Sequence, residues 1–227
     1  MLEIEKIDIE NELFSSLSPT LVPIEITMSN GKTRIVTFSK TIRIAKEFEK
    51  RFINEPFSKE AIAFLEGEMS DIIKEWGYFT DDYFPKHIFT YVANDLNEDL
   101  ILPSTKMLKS IDGYENLTEY ELEPLDEKSD EAYFATIIDG KIVSVCEMNV
   151  DDAFIGATEI NVYTNENYRK NGFAVSNATA MAKYLISLGK RVAYTAPKEN
   201  ISSQMVAEKC GFEKIAETYY YICYKEE

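Results

Sequence analysis

Histidine is almost missing from this sequence: His87 is the only one among 227 residues. A zinc site or a catalytic triad built on imidazole would have a single ring to work with, and a lone histidine without a partner reads as structural or exposed. Cysteine is scarce too. Cys146, Cys210 and Cys223 are odd in number and fall in no metal-ligand spacing, which points to reduced thiols in a cytoplasmic compartment and to no metal. No apolar run approaches the roughly 20 residues of a membrane span, and the acidic start at Glu3 and Glu5 lacks the positive-then-apolar order of a signal peptide. Basic residues are outnumbered, 24 Lys and Arg against 40 Asp and Glu, for a net charge of −16 shared by both halves of the chain. Neither half is a basic module, so a nucleic-acid partner is not expected. An acidic surface suits a cationic small substrate, and solubility explains it equally well.

What is present is enough apolar residue, 45% of the chain, to bury one large core or two small ones. Residues 2 to 18 are acidic and weakly periodic, as in a short helix or a frayed arm. Residues 24–28 and 33–38 alternate like strands around Asn30-Gly31, a hairpin signal because both turn residues tolerate positive φ. Helical spacing follows over residues 41–52. A second helix is expected from Ser58, its N-cap, to Trp76, with Gly77 as the stop. Its stripe of Ile62, Leu65, Met69, Ile72, Ile73 and Trp76 reads as core. Residues 78–87 are aromatic and irregular, a cover for either a cleft or the core.

Turn formers cluster around residues 110–116, and the sequence divides there into an α+β region, 1–115, with a hairpin and two or more helices, and a second domain, 116–227. The second reads as strands at 119–123, 132–138 and 142–148, the last two joined by Asp139-Gly140. A strand at 157–164, a helix from Ala174 to Gly189, a strand at 192–196, a helix at about 200–209 and two β-like runs at 213–216 and 218–224 complete it. That alternation predicts an α/β fold with a mixed sheet and helices on its faces.

Residues 168–175 join the strand at 157–164 to the Ala174 helix through a turn containing Gly172. Such a turn aims free backbone N–H groups and the positive end of a helix dipole at one spot, which suits a phosphate. A plain strand-to-helix turn would contain the same residues.

Two motifs in this order resemble the GNAT superfamily of acyl-coenzyme A dependent N-acetyltransferases. The first, Arg/Gln-x-x-Gly-x-Gly/Ala, is matched by Arg169, Gly172 and Ala174. The second, an Asn-x-x-Ser/Ala helix ending in Glu-Lys-x-Gly-Phe, is matched by Asn200, Ser203, Glu208, Lys209, Gly211 and Phe212. The likeness covers about residues 117–226. Within it, Glu159, Ile160, Thr164, Tyr168 and Arg169 are similar to the zwittermicin A resistance acetyltransferase group.

The resemblance implies a mostly antiparallel sheet flanked by helices, acetyl-CoA as co-substrate, and a small amine as acceptor, with the N-terminal region shaping the acceptor pocket. It places the pyrophosphate against the amides of Lys170, Asn171, Gly172, Phe173, Ala174 and Val175. The pantetheine arm would lie along Val162 and Thr164, with Asn200 and Ser203 on its other side, both of which also read as helix caps. An amine must lose a proton before attack, so a carboxylate base is expected; Glu159 is the first candidate and Glu147 the reserve. The chain departs from the family at Ala207, where many members carry a tyrosine as general acid. Either Tyr163 or water serves instead, the thiolate leaves unaided, or activity is lost. A non-catalytic acyl-CoA-binding sensor or regulatory module is therefore the alternative. Cys210 reads as a small buried residue, and the exposed final strand would allow a homodimer.

Overall fold

The computed structural model describes residues 3–7, 20–80, 86–125, 129–149 and 156–225. In chain order the strands and helices are β1 (Glu3–Ile7), β2 (Thr20–Ser29), β3 (Lys32–Phe38), α1 (Ile42–Phe52), α2 (Lys59–Glu75), β4 (Tyr78–Phe79), β5 (His87–Ala93), β6 (Thr105–Leu108), β7 (Glu115–Asn116), β8 (Tyr133–Ile138), β9 (Lys141–Met148), β10 (Thr158–Thr164), α3 (Phe173–Ser187), β11 (Val192–Pro197), α4 (Ile201–Cys210) and β12 (Phe212–Lys225). The chain forms two compact units, Met1–Phe89 with Ile215–Glu227, and Thr90–Lys214. The boundary read from the sequence at 115/116 falls inside the second unit.

In the first unit, β2 and β3 form the expected hairpin, with Asn30 and Gly31 both at positive φ (51° and 69°). β2 also pairs antiparallel with β12 from Ala216 to Tyr224. That pairing makes one strand of what the sequence divided into two runs, because ladder bonds carry the backbone through Glu217 with only an irregularity between Tyr221 and Cys223. Residues 3–7 are a strand, parallel to β3, and not a helix or a frayed arm; β3 offers them a ready row of backbone partners. Residues 2 and 8–18 of that expectation lie outside the described residues. Ser58 Oγ accepts from Ala61 N–H (3.2 Å) and starts α2, whose Leu65, Met69 and Ile73 are buried with Phe48 of α1 and Ile24, Ile26 and Ile35 of the hairpin. Burying each such side chain stabilises the unit by about 2 kcal/mol.

Of the aromatic segment 78–87, residues 81–85 lie outside the described residues, while Tyr78 belongs to this core. His87 is packed against Phe57, Phe89 and Tyr219, and its Nε2 meets Glu217 Oε1 at 2.6 Å. This is a packed structural histidine with a carboxylate partner.

The second unit orders its strands β11, β10, β9, β8, β6. All neighbours in that row are antiparallel except β10 and β11, which are parallel because α3 crosses over between them. The Asp139-Gly140 hairpin forms as expected, and an extra residue, Val143, bulges from β9 where the register slips at Thr136/Ile137. The strand expected at 119–123 is absent. Asn116 Nδ2 donates to Tyr120 O (2.7 Å), and Asn116 Oδ1 takes Thr118 N–H and Oγ1–H (3.0 and 2.8 Å), so a side chain has claimed backbone groups that a ladder would use. The β-structure lies just before it, at Glu115 and Asn116, parallel to β9.

α3 is rich in alanine, and Ala178, Ala180, Ala182, Met181 and Leu185 are buried, which lets the helix lie close on the sheet; Leu188 is exposed. α4 ends at Gly211, whose φ of 94° is left-handed. A Cβ there would sit 1.8 Å from Asp95 O, and the Gly211 carbonyl accepts from the amides of Asn94 and Asp95 (3.2 Å each). Only glycine fits both demands.

Candidate active site

β10 and β11 pair only through Thr158 with Val192 and Glu159 with Ala193. Beyond these residues the strands part, and a cleft of about 770 Å³ opens between them. Val162, Tyr163 and Thr164 of β10 form one wall. Tyr194 of β11 with Asn200, Ser203 and Val206 forms the other, and the turn into α3 closes the end with Arg169, Lys170, Gly172, Phe173, Ala174 and Val175.

That end is built for a negative charge. No side chain caps α3, and its first internal bond runs from Ser176 N–H to Gly172 O (3.0 Å), so the amides of Phe173, Ala174 and Val175 precede the ladder and point out of the helix. Lys170 and Gly172 both have positive φ (66° and 80°). At Gly172 the left-handed backbone, and not lack of space, favours glycine, since a Cβ would meet nothing closer than Leu102 Cδ1 at 4.0 Å. The cations Arg169, Lys170 and Lys209 stand around the cleft against a single acid, Glu119. Arg169 is braced by its Nε donating to Thr164 O (3.3 Å).

A buried polar chain fixes this wall from behind. Asn177 Oδ1 accepts from Thr105 Oγ1 (2.9 Å) and Thr136 Oγ1 (3.2 Å). Its Nδ2 donates to Ser144 Oγ (3.1 Å), which bonds Thr164 Oγ1 (2.8 Å). Because the one Thr105 hydroxyl proton goes to Asn177, Ser176 Oγ donates to Thr105 (2.5 Å) and accepts from Leu102 N–H (2.7 Å).

Of the residues singled out for the cofactor, Val162, Thr164, Arg169, Lys170, Gly172, Phe173, Ala174, Val175, Asn200 and Ser203 line the cleft. Asn171 is not in the wall; its Nδ2 turns back to Tyr168 O (3.1 Å) and Arg169 O (3.3 Å). Asn200 caps α4, its Oδ1 accepting from Ser203 N–H (3.0 Å) and Ser202 Oγ (2.7 Å), which leaves its amide NH2 as a donor. Ser203 Oγ shares a hydrogen with Tyr194 OH (2.9 Å).

Neither carboxylate candidate lines the cleft. Glu159 Oε1 is taken by Thr195 Oγ1. Glu147 lies opposite Asn161 across the β9–β10 ladder. Burial raises its pKa from the ordinary glutamate value, partly offset by hydrogen bonds from Tyr120 and Asn161. Tyr120 is stacked on Tyr163 of the cleft wall, ring centroids 4.2 Å apart and planes 11° off parallel. The Tyr163 phenol is pushed up to about 12, first by burial and then by Glu147, so it is a proton donor at neutral pH. Ala207 is fully buried, and burial pushes the Cys210 thiol up to about 11, as expected of an inert residue. Among the described residues no cluster of His, Cys, Asp and Glu could hold a metal, and no helix is long and apolar enough to cross a membrane. Tyr194, Glu119 and Tyr120 were not picked out as site residues in the sequence; Tyr120 sits in an irregular stretch with no motif to mark it.

Residues 133–222 match the family model described as GNAT acetyltransferase. No curated protein matches the chain. Among solved structures, a GNAT-family protein from Novosphingobium aromaticivorans DSM 12444 superposes with a TM-score of 0.51 at 18% identity, over 66% of this chain and 69% of its own. A GCN5-related N-acetyltransferase from Kribbella flavida gives 0.47 at 15% identity, over 83% and 74%. An acetyltransferase from the GNAT family from Colwellia psychrerythraea gives 0.45 at 14%, over 62% of this chain and 56% of its own length. The match to the GNAT acetyltransferase model is confined to residues 133–222, and what the chain shares with the Novosphingobium protein is the fold, a mostly antiparallel mixed sheet flanked by helices.

Proposed function

We propose that the protein is an acetyl-CoA-dependent N-acetyltransferase acting on a primary amine of a small, cationic molecule. The observation that carries this reading is the cleft between two parting parallel strands, closed by the uncapped start of α3. The amides of Phe173, Ala174 and Val175, with Lys170 and Arg169 beside them, would hold the pyrophosphate. Backbone groups of Val162 and Thr164, on the side of β10 that β11 leaves open, would hold an extended arm as a sheet edge holds a peptide, with the Asn200 amide opposite. Acetyl-CoA would supply the thioester whose acetyl group passes to the amine.

The chain's own work is then to move protons. Glu147 is favoured over Glu159 as the proton acceptor, because burial raises its pKa and so its basicity, with Asn161 and Tyr120 beside it, whereas Glu159 is engaged by Thr195. Tyr163, protonated and in the cleft wall, is the donor available where Ala207 offers none.

Thiol release from acetyl-CoA over a library of polyamines and aminated antibiotics tests this. The antibiotic arm also addresses the similarity to the zwittermicin A resistance group. Glu147→Gln should cut turnover by about 10²- to 10⁴-fold with acetyl-CoA binding kept. The same loss in Glu159→Gln alone would move the base to Glu159. Buried Ala207 favours the second reading, a non-catalytic acyl-CoA-binding module, and tight binding without turnover on any amine would establish that one instead.

A further inference from the structure

We propose that Tyr120 is a positioning residue: its phenol donates to Glu147 while its ring rests on Tyr163, so that an irregular segment outside the sheet fixes the proton acceptor of the site. The inference rests on Glu147 serving acyl transfer as argued above.

The segment is held more firmly than an unstructured stretch requires. Leu117 N–H donates to Ile142 O (2.9 Å), and Leu117 O accepts from Asn165 Nδ2 (2.7 Å), the residue that follows β10. Asn116 Nδ2 donates to Tyr120 O (2.7 Å). Three hydrogen bonds thus set the backbone from Leu117 to Tyr120, tying it to β9 on one side and to the end of β10 on the other. Its ring packs with Leu108, Leu122, Ala135 and Val145, and lies flat on Tyr163.

Glu147 leaves β9 on this same face, beside Asn161. The groups around it are Tyr120 from the segment, Tyr133 from β8, and Asn161 and Tyr163 from β10, while buried Cys146, next to it on β9, is turned to the opposite face. Glu159 acts on the same neighbourhood through Tyr163. Among the described residues no Lys or Arg pairs with Glu147. Its orientation and charge therefore depend on two neutral donors, the Asn161 amide and the Tyr120 phenol, and a cationic amine would be the first positive charge to reach it. A phenol hydrogen bond favours the carboxylate over the acid, opposing burial.

The test is the titration of the Glu147 carboxyl carbon by NMR in protein labelled at glutamate Cδ, assigned with Glu147→Gln. Tyr120→Phe keeps the ring stack and removes the donor. The Glu147 midpoint should rise by on the order of one pH unit, and the acid limb of kcat/KM for thiol release from acetyl-CoA should rise with it, leaving KM for acetyl-CoA unchanged. A midpoint that does not move overturns the role of Tyr120 while the transferase reading stands. Absence of thiol release with every amine overturns the transferase reading and the positioning role together.

Discussion

On the side of β10 that meets α3, Ile160 is buried and Thr164 ends a continuous hydrogen-bonded chain of hydroxyls and one amide. On the other side, Asn161 and Tyr163 meet a carboxylate with raised pKa and a phenol borne by irregular chain. Both sides are polar, yet one is closed and the other open. A closed network specifies a wall, whereas an incompletely neutralised one is available for chemistry. Substitutions on the α3 side should therefore act on structure and cofactor, and those on the far side on proton transfer.

The largest break would come at the α3 turn. Gly172→Glu places a β-carbon in a left-handed conformation and a negative charge before the α3 amides. Calorimetry should find acetyl-CoA affinity reduced by more than about 100-fold. Retained affinity would mean that the anion site lies elsewhere. Next, Asn177→Leu strands the hydroxyls of Thr105, Thr136 and Ser144, and urea unfolding should show a loss of about 3 kcal/mol. An equal loss in Tyr120→Phe would erase the contrast between the two sides. The smallest effect concerns pH. A raised carboxyl pKa means that the folded state holds a proton the unfolded chain has released, so this contribution to stability is present below the ordinary glutamate range and lost as pH rises through Glu147's folded value. Stability of Glu147→Gln measured against pH should lack that decline, and an unchanged profile would show that Glu147 is not buried as described.

How far the sequence could be read follows the same division. Asn30-Gly31, Asp139-Gly140, Ser58 and the turn at Gly172 are local signals, in which the residue type itself dictates the backbone, and each lies where it was expected. The 119–123 run alternates as a strand does, but Asn116 intercepts its backbone through a side-chain bond that no periodicity reveals. β12 is one strand because β2 lies along its middle, which is a long-range fact. Glu147 was the second choice for a related reason. The case for proposing it ahead of Glu159 comes from burial and from Tyr120, both products of how a motif-free segment lies on the sheet.

The contact of Gly211 with Asp95 has a consequence for how the second unit comes into being. It joins residues near the two ends of Thr90–Lys214, so a growing chain has nearly the whole unit in hand before its first part can meet its last. Long-range closure of this kind is slow compared with helix or hairpin formation. During synthesis β10 and α3 would wait, with the cleft's second wall still unmade, until α4 and its terminal glycine emerge. The unit should then complete in one late cooperative step.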